Sequence, residues 1–157
     1  MPEPLPVGAS APDFVLRDQN NQEVALAELR RKGPVLAVFF PLAFTGTCEG
    51  ELGYIRDHLP QFAGDRLSTV AISVGAPPTH KVWSSSQGFL FPILSDFWPH
   101  GAVSADYGVF DDVRGIPNRG TFLIGGDGDV LFSAMVGPGE ARTVDTWDAA
   151  LGAVPEL

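Results

Sequence analysis

Hydrophobic residues fall into short continuous runs and helix-spaced positions along most of this chain. The run VLAVFF at residues 35–40 is rich in β-branched and aromatic residues, which is typical of a strand buried on both faces of a sheet. After it, Leu52, Ile55 and Leu59 recur at the spacing of an amphipathic helix, which Pro60 is expected to bend or end. The pattern therefore predicts a central strand followed, after a short loop, by a helix.

The rest of the chain continues this alternation. Further strands are predicted at residues 13–17, 23–26, 67–74, 91–94, 119–124 and 130–136. Helical segments are predicted at residues 25–31, 78–87, 100–107 and 142–151. The last two strands are expected to form a hairpin across a turn rich in glycine and aspartate. Alternating βαβ units with a terminal hairpin and helix predict an α/β fold, a mixed β-sheet flanked by helices on both faces.

Composition limits the classes of protein that fit. The 157 residues are 45% hydrophobic, enough for a single domain, 1–157, with a sizeable core. Because the formal net charge is −9, phosphate backbones and anionic membranes should repel the chain, and nucleic acid is not an expected partner. The apolar stretch at residues 35–44 is too short to span a bilayer, and the first ten residues lack the features of a signal peptide. We expect a cytoplasmic protein.

The chain contains one cysteine, Cys48, in the first turn of the helix that follows the central strand. The thiolate is the nucleophilic form, and a free thiol is mostly protonated at pH 7. The first turn of a helix favours an anion, whereas Glu49 and Glu51 would disfavour one if they faced the sulfur. A cation from elsewhere is therefore needed. Arg119, at the start of a predicted strand, is the candidate because strand ends meet at one edge of such a sheet.

Other residues near Cys48 have both ordinary and chemical interpretations. Thr45 can cap the helix or donate a hydrogen bond to the sulfur or to a bound oxygen, and Pro41 can simply end the strand. Glu51 is either a charge in the first turns of the helix or a partner that orients Arg119, and the sequence leaves both open.

Residues 41–48, PLAFTGTC, resemble the peroxiredoxin signature Pro-x-x-x-Thr/Ser-x-x-Cys, and Arg119 matches the distant arginine of that family. The similarity covers nearly the whole chain, with further matching segments at residues 8–14, 95–96, 107–109 and 119–122. Within the peroxiredoxins, residues 39–46 and 95–101 look most like the one-cysteine alkyl hydroperoxide reductase E type of actinobacteria.

The resemblance implies a thioredoxin-like fold and a thiol peroxidase that uses no cofactor or metal. It implies that the Cys48 thiolate attacks hydrogen peroxide, an organic hydroperoxide or peroxynitrite, that Arg119 and Thr45 stabilise the developing charge, and that Pro41 shields the site. The product is a Cys48 sulfenic acid. Because the chain has no second cysteine, the expected reductant is an external thiol or a thioredoxin- or glutaredoxin-like protein. The family also implies a homodimer.

Three other functions compete with this one. A redox-inactive thioredoxin-fold interaction module would need no reactive thiol. A cysteine hydrolase would need a histidine base beside Cys48, and a disulfide oxidoreductase would need a second cysteine. His58, His80 and His100 lack the spacing of metal ligands and are interpreted as surface or capping residues. The three tryptophans are expected in the core or at a subunit contact, with Trp98 near a site or interface.

Overall fold

The computed structural model describes residues 2–155, so residue 1 and residues 156–157 of the predicted domain lie outside the described residues. The strands are β1 (Val15–Arg17), β2 (Glu23–Ala25), β3 (Val35–Phe39), β4 (Ser68–Ser73), β5 (Ile93–Ser95), β6 (Phe110–Asp111), β7 (Ile116–Pro117), β8 (Arg119–Ile124) and β9 (Val130–Val136). The helices are α1 (Leu26–Arg31), α2 (Gly46–Asp57), α3 (Leu59–Phe62), α4 (Pro77–Gln87), α5 (Ala102–Asp106) and α6 (Val144–Gly152).

Seven of the described strands form one mixed sheet in the order β2-β1-β5-β4-β3-β8-β9. Strands β3, β4 and β5 are parallel, and β8 pairs antiparallel with β3. Every residue of β3 is buried, as its continuous apolar run predicts for a central strand. The loop that follows β3 therefore leaves the middle of the sheet at the carboxyl ends of the parallel strands.

Alternate residues of β3 point to opposite faces of the sheet, and each face has its own core. Leu36 and Val38 pack in one cluster with Leu52 of α2, Trp83 of α4 and Trp147 of α6. On the other face, the remaining β3 side chains pack with residues of α1 and with Tyr107, which follows α5. The predicted α/β fold with helices on both faces of a mixed sheet is confirmed.

Some local features differ from the sequence-based expectations. The helix that begins before Cys48 ends at Asp57, and Pro60 lies in the separate short helix α3, because proline is tolerated in a first turn but not inside a helix. The β6–β7 ribbon was not predicted, since strands of two residues are too short to show alternation. The predicted hairpin does form, from β8 and β9.

Two of the three tryptophans lie in the core, whereas one histidine does not lie where the sequence suggested. Trp83 and Trp147 are buried, whereas Trp98 is 80% exposed. The interpretation of His80 as a surface or capping residue is wrong. It is fully buried on the inner face of α4, where its ring lies 5.9 Å from that of Phe40. Within residues 2–155, no helix has both the length and the apolar character needed to cross a membrane.

Candidate active site

The loop between β3 and α2 places Cys48 at the edge of the sheet. The Ser73 hydroxyl, at the end of β4, donates a hydrogen bond of 2.9 Å to the carbonyl oxygen of the buried Pro41 and so fixes the start of the loop. Phe44 adopts a positive φ of 64°, a conformation that non-glycine residues seldom adopt, as the chain turns into α2. Cys48 then lies in the first turn of α2 with no exposed surface.

Arg119 contacts the sulfur of Cys48 from the neighbouring strand. Because β8 is antiparallel to β3 and Thr121 pairs with Val38, the first residue of β8 comes just past the carboxyl end of β3. Its Nη1 donates a hydrogen bond to Cys48 Sγ at 3.2 Å, and the residue is only 3% exposed. The sulfur therefore lies against a positive charge and a hydrogen-bond donor, with little competing water.

The carbonyl oxygen of Pro138 fixes the rest of the Arg119 guanidinium. It accepts hydrogen bonds from Nε at 3.3 Å and from Nη2 at 3.0 Å. The guanidinium is thus held between a backbone carbonyl on one side and the site on the other, with Nη1 directed at the sulfur.

Glu51 follows Cys48 by three residues and therefore lies on the same face of α2. Its Oε1 accepts a hydrogen bond from Arg119 Nη1 and another, of 3.0 Å, from Arg142 Nη1. Its Oε2 accepts from the backbone N–H of Arg142 at 2.6 Å. Of the two interpretations that the sequence left open, contact with Arg119 is the one found here. The carboxylate is paired with two cations.

Arg142 is a second buried arginine, and sequence reasoning missed it. It lies just before α6, and its side chain is 1% exposed. Nε donates to Thr121 Oγ1 at 2.7 Å, and Nη2 donates to the carbonyl oxygens of Gly120, at 2.8 Å, and of Phe39. Burial lowers the pKa of Arg142, and the Glu51 carboxylate opposes this change. Arg142 lies 94 positions after Cys48 in the chain (142 − 48), and no spacing pattern in the sequence links the two residues.

Thr45 comes immediately before α2 and is half-buried. Its hydroxyl donates a hydrogen bond of 2.8 Å to the carbonyl oxygen of Leu42 and is thus turned into its own loop. The structure therefore brings Cys48 and Arg119 into contact and places Pro41 and Thr45 in the loop beside them. Among the residues that the structure describes, no group of three or more His, Cys, Asp or Glu side chains is arranged to hold a metal ion.

The fold and the site together define a class, a thioredoxin-like protein with a buried cysteine whose sulfur lies against an arginine. The family model described as the AhpC/TSA family matches residues 7–133. Alkyl hydroperoxide reductase E of Mycobacterium tuberculosis is 58% identical over 150 residues, which cover 96% of this chain and 98% of that protein. The chain belongs to the AhpC/TSA family and is a peroxiredoxin, which confirms the resemblance found in the sequence.

Other relatives and solved structures agree with this assignment. A selenocysteine-containing peroxiredoxin of Peptoclostridium acidaminophilum is 34% identical over 132 residues, 78% of this chain and 64% of that protein. The crystal structure of the peroxidoxin BcpB from Mycobacterium tuberculosis has a TM-score of 0.82 at 32% identity and covers 94% of this chain and 95% of that one. A reduced 2-Cys peroxiredoxin of Plasmodium vivax has the same TM-score at 28% identity, covering 95% and 81% of the two chains.

Proposed function

We propose that this protein is a one-cysteine thiol peroxidase, and the observation that carries the proposal is the 3.2 Å contact between Arg119 Nη1 and Cys48 Sγ. The contact pairs the chain's one thiol with a buried cation, which a merely structural cysteine in the core does not require. The name of the relative alkyl hydroperoxide reductase E points to organic hydroperoxides as substrates. Hydrogen peroxide and peroxynitrite offer the same O–O bond.

In the proposed reaction, the Cys48 thiolate attacks one oxygen of the peroxide ROOH and the O–O bond breaks. One proton is taken up, and the products are the Cys48 sulfenic acid and the alcohol ROH, or water when R is hydrogen. Sulfur is oxidised by two electrons and the peroxide is reduced by two. Arg119 stabilises the negative charge that develops on the leaving oxygen.

Thr45 and Pro41 complete the proposed site. When a peroxide enters, the Thr45 hydroxyl leaves the Leu42 carbonyl and donates to a peroxide oxygen, a rotation about one side-chain bond. The buried ring of Pro41 limits the access of water beside Cys48. Arg142 acts as a positioning residue. It donates a hydrogen bond to Glu51, and the Glu51 carboxylate in turn holds the Arg119 guanidinium in place.

The sulfenic acid is proposed to be reduced by an external thiol, because the chain has no second cysteine. One thiol condenses with the sulfenic acid to give a mixed disulfide and water. A second thiol attacks the sulfur of the first, which releases Cys48 as the thiol and leaves the two external thiols oxidised to a disulfide. A small thiol or a thioredoxin- or glutaredoxin-like protein fits this chemistry. A reactive thiol without a disulfide partner also fits a reducing compartment, and we propose the cytoplasm.

A homodimer is proposed from exposed aromatic and apolar side chains in two loops that follow the parallel strands β3 and β5. Leu42 and Phe44 of the loop before α2 are 43% and 54% exposed, and Phe97 and Trp98, after β5, are 53% and 80% exposed. Large apolar side chains exposed in this way are typical of an interface. Sedimentation equilibrium tests the proposal. A monomer at all concentrations up to those found in the cell would contradict it.

Intact mass spectrometry tests the proposed reaction. After one equivalent of peroxide, the protein should gain the mass of one oxygen, and with 2-mercaptoethanol present it should gain the thiol as a mixed disulfide and then return to its starting mass. Cys48→Ser, which keeps the size of the side chain but lacks the thiol, should show none of these changes. Oxidation of wild type no faster than that of a free thiolate would instead support the redox-inactive interaction module.

A further inference from the structure

Trp83 of α4 is joined to the first turn of α2 by a side-chain hydrogen bond. The indole Nε1 donates to Oε1 of Glu49 at 3.2 Å. Trp83 is fully buried, with its ring 5.3 Å from that of Phe40 and 6.3 Å from that of Phe44. Glu49 directly follows Cys48. A rigid element of the core thus holds the residue beside the proposed nucleophile.

The first turn of α2 has few other attachments. Gly46, Thr47 and Gly50 are exposed, and the Thr45 side chain makes no capping hydrogen bond. Glycine also lowers the helix propensity of this segment, because it leaves the backbone more conformational freedom than other residues do. Among the described residues of this turn, the side-chain hydrogen bonds to the protein body are those of Cys48 with Arg119 and of Glu49 with Trp83.

Oxidation changes the balance between these two attachments. In the reduced site the bare sulfur contacts Arg119 Nη1 at 3.2 Å, whereas the sulfenic acid carries an added oxygen on this sulfur, which alters the contact. The Glu49–Trp83 bond involves no sulfur and is unaffected by oxidation. Within residues 46–49 it is then the one side-chain hydrogen bond to the protein body that oxidation leaves unchanged, while Glu51, further along α2, stays bonded to Arg119 and Arg142.

An external thiol must reach Cys48 Sγ, which has no exposed surface in the closed structure. We propose that the Glu49–Trp83 hydrogen bond controls how often the oxidised turn opens, and so sets the rate at which an external thiol reduces the sulfenic acid. Glu49 and Trp83 are positioning residues in this scheme, because neither contacts the peroxide. This inference rests on the proposed peroxidase function.

The scheme predicts separate effects on the two half-reactions. Formation of the sulfenic acid by hydrogen peroxide, a molecule little larger than water, needs less opening than the entry of a thiol, and it should change less than twofold when the bond is removed. Condensation of the sulfenic acid with a thiol requires opening, and it should become about tenfold faster, the factor expected for losing one hydrogen bond to a charged acceptor at a partly exposed position.

Four variants test the bond. Trp83→Phe removes the donor and keeps an aromatic ring, and Glu49→Ala removes the acceptor without changing the core. Glu49→Gln keeps an acceptor oxygen and serves as the matched control, and the double variant Trp83→Phe with Glu49→Ala tests coupling. Each protein is oxidised with one equivalent of hydrogen peroxide and mixed with 2-mercaptoethanol, and the mixed disulfide is followed by intact mass in timed samples.

The expected result is a tenfold faster condensation in each of the first two variants, no further gain in the double variant, and a rate in Glu49→Gln between those of wild type and Glu49→Ala, because the amide keeps an acceptor oxygen but not the charge. Additive effects in the double variant, or a rate in Glu49→Ala equal to that of wild type, would overturn the proposal. If Trp83→Phe does not fold, comparison of the condensation rates of Glu49→Ala and Glu49→Gln is sufficient to test the proposal.

A second measurement separates failure of this inference from failure of the proposed function. Reaction of reduced Cys48 with 4,4′-dithiodipyridine needs an open turn but no peroxide. It should be faster in Trp83→Phe and Glu49→Ala than in wild type and Glu49→Gln. If wild type forms no sulfenic acid, the peroxidase proposal fails. Independently of that result, equal labelling rates in all four proteins would show that the Glu49–Trp83 bond does not control opening of the turn.

Discussion

Replacing His80 with leucine is expected to make the protein less sensitive to acid. His80 is fully buried beside the ring of Phe40, close to the backbone of Gly75. Within residues 2–155, neither of its ring nitrogens makes a hydrogen bond. Burial lowers the pKa of His80 from its ordinary 6.5 to about 4, and the nearby Ile93 carbonyl opposes this shift only in part.

The sign and size of the effect follow from this difference in pKa. Between about pH 4 and pH 6.5, His80 is protonated in the unfolded chain but not in the folded protein. Protons therefore favour unfolding in this range. The stabilising contribution is present above pH 6.5 and is lost as the pH falls toward 4. Between pH 7 and pH 5 the loss attributable to this one group is about 2 kcal/mol.

Urea denaturation at pH 7 and pH 5 measures this contribution. The free energy of unfolding of wild type should fall by about 2 kcal/mol more than that of His80→Leu between these two pH values. Burial raises the pKa of Asp96, which has the opposite effect on stability in acid, but Asp96 is present in both proteins and cancels. The control variant His100→Leu retains His80, so the part of the change in unfolding free energy with pH that His80 contributes should be retained as well. Equal slopes in wild type and His80→Leu would refute the reasoning.

Two further predictions concern the site. Arg142→Met leaves Glu51 buried with one cation fewer, and it should lower the free energy of unfolding by about 3–5 kcal/mol in urea denaturation; a loss under 1 kcal/mol would contradict the buried network described here. Thr45→Val removes the proposed donor to the peroxide and should slow peroxide reduction about 10²-fold in stopped-flow measurements, whereas Thr45→Ser should remain close to wild type. An unchanged rate in Thr45→Val would remove Thr45 from the site.

The fold was largely predictable because its central elements have strong local signals. The apolar run of β3 and the helical spacing after Cys48 each specify an element without information from distant residues. The β6–β7 ribbon carries no such signal, since its pairing depends on contacts between two-residue segments. His80 was misplaced for a related reason. Its position on the inner face of α4 depends on how that helix packs against the sheet at β5 and beside Phe40.

The site was predictable only in part. Cys48 and Arg119 were predicted from the helix start and the meeting of strand ends, and also from a known family motif, and the structure places them in contact. Glu51 was recognised as ambiguous, because helical spacing puts it on the face of Cys48 but does not reveal what lies opposite. Arg142 was missed. The five hydrogen bonds that it donates reach partners from β3, α2 and β8, and this convergence exists only in the folded chain.

The most direct test of the proposed function is the rate of the first peroxide reaction, measured by stopped-flow tryptophan fluorescence with hydrogen peroxide and with an organic hydroperoxide. Wild type should react much faster than a free thiolate, Cys48→Ser should not react, and Arg119→Ala should react about 10²- to 10³-fold more slowly than wild type. A wild-type rate no higher than that of a free thiolate, or an unchanged rate in a folded Arg119→Ala, would contradict the account.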